Sequence, residues 1–292
     1  MTFNESSRLD PSRVQRRGKG GGVAAGGGLV GMLLVLLFVL FGGEPGDAEL
    51  LNPPGPGSDD SAHGDFDDRC ATGADANAYA DCRVVGAMNS LDAFWAAELP
   101  TVGTELALPG IVIFDQATTS ACGQASAATG PFYCPADQSI YVDVAFWDVL
   151  STQFGASGGP LAEMYVIAHE YGHHLQNQLG VFGVADRGDT GADSDSVKVE
   201  LMADCLAGVW AGHASTVPDA TGQPFLAPLT EADIQDALSA AGAVGDDRIQ
   251  EARQGETNPH TYTHGTSAER QAWFMEGYTN GDVVACDQFG VL

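Results

Sequence analysis

The apolar positions of this chain change spacing several times, and each spacing predicts a different element. Residues 23–41 carry no charge and end in the dense run LVGMLLVLLFVLF over 29–41. At about 1.5 Å of rise per residue, such a stretch nearly crosses a hydrocarbon core, so it predicts one transmembrane helix. Over 42–68 large apolar groups give way to Gly, Pro, Ser and Asp, which is linker composition. Helical spacing returns with Tyr79, Val84, Val85, Met88, Leu91, Phe94 and Trp95, predicting a helix over about 76–99. Pro109 and Gly110 interrupt it before the β-branched run IVIF, and SIYVD at 139–143 reads as a second strand. The Gly-, Ser- and Thr-rich stretch between these strands reads as a loop. Helical patterns follow at about 144–154, 160–179, 195–213, 230–242 and 266–280. The expected class is therefore α+β, a mostly helical domain with a small sheet, preceded by the transmembrane helix.

Charge sets the expected topology. Arg8, Arg13, Arg16, Arg17 and Lys19 precede the apolar run, whereas Glu44, Asp47 and Glu49 follow it and the next basic residue is Arg69. The positive-inside bias then makes 1–22 a basic cytoplasmic tail, 23–41 a transmembrane anchor, 42–68 a linker and 69–292 an extracytoplasmic domain. The expected location is the cell membrane, with an uncleaved single-pass anchor favoured over a cleaved signal peptide because GGEPGDAEL is not a clean small-x-small cleavage site. Twelve Lys plus Arg against 39 Asp plus Glu leave a net charge of −27, so nucleic acid is not an expected partner. All six cysteines lie beyond the apolar run, in the compartment where disulfides persist. Proximity suggests Cys70 with Cys82 and Cys122 with Cys134, leaving Cys205 for Cys286, and no C-x-x-C spacing points to a zinc ribbon.

The chemistry concentrates in AHEYGHH, which places His169 and His173 four apart with Glu170 beside the first. On a helix these imidazoles share a face, so both can reach one zinc ion while Glu170 approaches the water that the metal activates. His174 lies about 100° further round and is expected to pack or face solvent. Gly172 leaves room for a close neighbour. A catalytic zinc usually takes three protein ligands and keeps one position for water. Leu179 stands where an extended motif would place a third His, but VELMADCLAG offers Glu200 and Asp204, again four apart on an apolar stretch. One carboxylate can bind the metal while the other receives the far N–H of a ligand imidazole. His213, His260 and His264 are reserve ligands. TYTHGTSAER supplies Tyr262, His264 and Arg270 as candidate donors to a hydrolytic oxyanion, His264 first, with Arg270 also expected to anchor its helix through a carboxylate. SIYVD is the candidate edge strand for a peptide substrate.

The segments AHEYGHHLQNQ, VELMADCLAG and HGTSAER together resemble the bacterial neutral zinc metallopeptidase family of membrane-anchored, gluzincin-like proteins, and the likeness spans about 76–290. The resemblance implies one zinc ion held by His169, His173 and Glu200, with Glu170 catalytic and Asp204 bonded to a ligand imidazole. It implies peptide-bond hydrolysis, with peptides or proteins as substrates and the cytoplasmic membrane as the other partner. Glu269 departs from the pattern, which leads one to expect Gln before the Arg. The competing reading is a surface-anchored binding or structural module with a non-catalytic zinc site. Glu170 argues against it, since a purely structural site has no use for a general base.

Overall fold

The computed structural model describes residues 2–17, 69–126 and 129–292. In chain order these form β1 (Gln15–Arg17), α1 (Gly73–Ala78), α2 (Ala80–Glu98), β2 (Gly110–Phe114), β3 (Ala117–Ser120), β4 (Gly123–Ser126), β5 (Phe132–Cys134) and β6 (Ser139–Asp143). Helices follow: α3 (Phe146–Thr152), α4 (Pro160–Gln178), α5 (Val181–Val184), α6 (Asp195–His213), α7 (Glu231–Ala243), α8 (Asp246–Gln254) and α9 (Ser267–Asn280). A small sheet thus lies against a helical body, as the spacing of apolar residues predicts. Its strand order is β1-β2-β6-β5, parallel except at the β5–β6 pair. Residues 111–114 of β2 and 140–143 of β6 are buried, which explains their unbroken apolar runs.

Two of the helices carry the sequence signals that start and stop them cleanly. Pro160 occupies the first turn of α4, where no intrahelical partner is lost, and Gly180 beyond its end takes φ 83°. Ser194 caps α6 by accepting the Val197 N–H. The departure at Glu269 has a local cause: with Thr266 it forms the reciprocal cap of α9, its carboxylate accepting from the Thr266 backbone N–H and hydroxyl at 2.8 and 2.6 Å. Helix α6 is buried nearly all round. At Gly172 a Cβ would sit 3.0 Å from the Ala203 Cα, so α4 and α6 touch backbone to backbone. A Cβ at Gly208 would meet the Phe274 carbonyl, and one at Gly277 the Cys205 carbonyl, so α6 and α9 cross just as closely.

The membrane-spanning helix of the expected fold is not supported. Residues 2–17 belong to the folded body rather than to a separate tail. Phe3, Leu9 and Val14 are buried in the main core, and β1 pairs with β2. Asn4 Nδ2 donates to the carbonyls of Pro224 and Leu226 at 2.8 and 3.0 Å, and Arg13 pairs with Asp92 at 2.7 Å. Arg16 reaches Asp81 at 2.6 Å, and Arg69 bonds the same Asp81 oxygen. These contacts tie residues 2–17 to the body that begins at Arg69. No helix among the described residues is long and apolar enough to cross a membrane, and the span expected over 23–41 lies outside them.

Two smaller corrections concern the sheet. SIYVD is an interior strand, and the edge on the far side from β1 is β5. The stretch read as a loop holds β5 and the β3–β4 hairpin. The cysteine pairing holds throughout: Cys70–Cys82, Cys122–Cys134 and Cys205–Cys286 are disulfides.

Candidate metal centre

Helix α4 presents Val166, His169, Glu170 and His173 along one face, the i, i+3, i+4, i+7 set. Glu200 comes from α6, whose close approach at Gly172 brings its carboxylate opposite. Oε2 lies 3.1 Å from His169 Nε2, and Oε1 lies 3.5 Å from His173 Nε2. One ligand atom from each of the three residues fits within 4.8 Å of the others. Tetrahedral zinc with nitrogen and oxygen ligands sets its donors about 3.3 Å apart, so both the spacing and the donor chemistry fit that ion.

The surrounding groups fix each ligand's orientation. Asp204, with no exposed surface, accepts from His169 Nδ1 at 2.8 Å, which leaves Nε2 for the metal side. Arg270 grips the same carboxylate with both arms of its fork, Nε to Oδ2 at 2.8 Å and Nη2 to Oδ1 at 3.0 Å. The Tyr165 hydroxyl donates to Asp204 as well. His173 Nδ1 lies 2.8 Å from Gln176 Oε1, and Gln176 Nε2 in turn donates to the Val199 carbonyl at 2.6 Å. Sequence reasoning missed Tyr165 and Gln176. Gln176 stands three residues after His173, one helical turn on, a spacing that could have flagged it. Arg270 performs the anchoring role expected of it, and its carboxylate is now identified.

Electrostatics follow from burial and crowding. Burial disfavours a charged His169, but Asp204 and Glu200 outweigh it and lift the imidazole to about 10, so an incoming metal displaces a proton there. Burial would also raise Glu200, yet the His173 and His169 imidazoles hold it well below the usual carboxylate range. Burial pushes Glu170 up to about 7, with His169 and the Tyr133 backbone N–H opposing and Glu200 assisting.

A cavity of about 210 Å³ opens over the three ligands, and His264, Arg270, Tyr133 of β5 and Ile249 of α8 are among its walls. His264 is oriented by Asp246, a residue that sequence reasoning missed. Asp246 Oδ2 accepts the backbone N–H groups of Thr263, His264 and Gly265 at 2.8, 2.6 and 3.0 Å, and Oδ1 lies 3.4 Å from His264 Nδ1. The other candidates fall elsewhere. His213 donates Nδ1 to the Val209 carbonyl and stacks on Phe94. His260 is exposed in a 3-10 turn. Tyr262 packs with Val197 and Leu201. His174 is buried between the Ala107 carbonyl at 2.6 Å and the Tyr133 hydroxyl at 3.1 Å.

Comparison with known proteins gives the family. The family described as "Putative neutral zinc metallopeptidase" matches residues 4–289, including the N-terminal segment that packs in the fold. The uncharacterized protein Rv2575 of Mycobacterium tuberculosis is 52% identical over 252 residues, covering 86% of this chain and 84% of that relative. The uncharacterized protein YpfJ of Escherichia coli K12 is 39% identical over 201 residues, 67% of each chain. No solved structure matches. A match of this extent, on a chain that folds two histidines and a glutamate into one cluster, places the protein in the neutral zinc metallopeptidase family.

Proposed function

We propose that this chain hydrolyses peptide bonds with one zinc ion held by His169, His173 and Glu200. The observation that carries the reading is the convergence of those three side chains with Glu170 next to them on the same helical face. Zinc, when bound, supplies the Lewis acid that polarises a carbonyl and makes water nucleophilic near neutral pH. Glu170, raised to about 7 by burial, takes the proton of the attacking water and passes it to the leaving amine. Burial works against a charged His264, but Asp246 at Nδ1 and Glu200 hold it toward its charged form, so it keeps an Nε2–H to donate to the developing oxyanion. Strand β5 ends the sheet and walls the cavity, so its outer edge receives the substrate backbone. Three disulfides favour work in an oxidising compartment.

Digestion of a peptide library by the zinc-loaded protein, with and without a chelator, tests the reading. Turnover that a chelator abolishes and zinc restores is the expected result. Glu170→Gln should keep its zinc and lose about 10²–10⁴ in rate. Zinc binding without turnover by the wild-type chain would turn the site into a structural one.

A further inference from the structure

The walls of the cavity other than the metal cluster and its donors are strongly apolar. Phe132 of β5, Phe146 of α3, Phe154, Val166 of α4, Val244 and Ile249 of α8 line it. Val166 is one turn before His169 on the metal face, so the apolar wall and the reacting groups are continuous on one helix. Phe146, Phe154, Val166 and Val244 also pack on the main core, whereas half-buried Ile249 belongs to none of the core clusters among the described residues. An isoleucine on α8, a helix whose other residues except Ala252 are polar (DDRIQEARQ), is therefore placed against the cavity.

From this we infer that the cavity selects peptides with a large aliphatic or aromatic side chain flanking the scissile bond, with Ile249 as a specificity-determining residue. The inference rests on the peptidase reading above. The acidic and basic groups on the cavity walls are the metal cluster with Glu170, His264 and Arg270, and these are engaged with one another or with the reaction. An ionic substrate side chain entering between the phenylalanines would be desolvated without a partner, while Leu or Phe gains by leaving water. Since the apolar wall runs into the metal ligands, the side chain it accepts belongs to a residue next to the bond that reacts.

Binding can be measured without turnover. The full chain carrying Glu170→Gln and loaded with zinc is titrated with blocked alanine hexapeptides in which each of the two central positions in turn is Leu, Phe, Asp or Lys. At one position the Leu and Phe peptides should bind about tenfold or more tighter than the Asp and Lys ones. Ile249→Asp should erase that preference and improve binding of the Lys peptide. Ile249→Ala, milder should the aspartate unfold the chain, should weaken Leu and Phe alone. Equal binding of all four peptides at both positions, or a preference unchanged in both Ile249 variants, overturns the inference. Wild-type turnover of the same peptides separates the two readings. Even hydrolysis of all four spares the peptidase and removes the selectivity, whereas ranked binding with no hydrolysis spares the selectivity and removes the peptidase.

Discussion

At the scale of single residues, the groups around the metal cluster make separable predictions. His264→Ala should lower kcat by about 10²–10³, or 2.7–4 kcal/mol, with zinc content and melting temperature nearly unchanged, because the side chain walls the cavity without supplying a ligand. A fall in zinc content would move His264 among the ligands. Arg270→Gln should behave otherwise. It strips the counter-charge from an Asp204 that has no solvent to turn to, and breaking such a buried pair costs about 3–5 kcal/mol, readable by urea unfolding. Stability equal to wild type would show that Tyr165 and His169 hold Asp204 unaided. The two histidines and Glu170 are legible in the sequence because one helix sets their spacing. The Asp204–Arg270 fork is not, since 66 positions separate its halves and only the α6–α9 crossing brings them together.

At the scale of elements, the helices that read clearly are those whose apolar positions and end signals agree: α4, between Pro160 and Gly180, and α6, apolar nearly all round and capped by Ser194. The misses share a cause. Strand β1 is Gln-Arg-Arg, a sequence with no strand character, and it exists because β2 offers it an edge. Helix α8 is polar over most of its length and shows no stripe, and β5 spans three residues, too few for a period. The N-terminal segment can be tested through its anchor. Phe3 is 2% exposed, and Gly86 in the middle of α2 leaves the space its ring fills. Phe3→Ala should therefore cost about 3–5 kcal/mol, as for any buried phenylalanine. A change within error in the unfolding midpoint would mean that the segment lies outside the cooperative unit.

At the scale of the whole molecule, the Cys205–Cys286 disulfide closes 81 positions and fastens α6, beside Asp204, to the turn that follows α9. Replacing both cysteines with alanine should cost about 2–5 kcal/mol in unfolding free energy, and a melting temperature equal to that of the wild type would deny the bridge a stabilising role. The contacts of Arg16 and Arg69 with one Asp81 oxygen have a different kind of consequence, one of parity. A path that leaves a body and returns to the same point of it crosses any closed boundary an even number of times, zero included. Arg16 and Arg69 are both points of one folded body. Epitope tags placed before residue 2 and after residue 292 should therefore be reached by antibody from the same side, and tags reached from opposite sides would count against the Arg16 and Arg69 contacts.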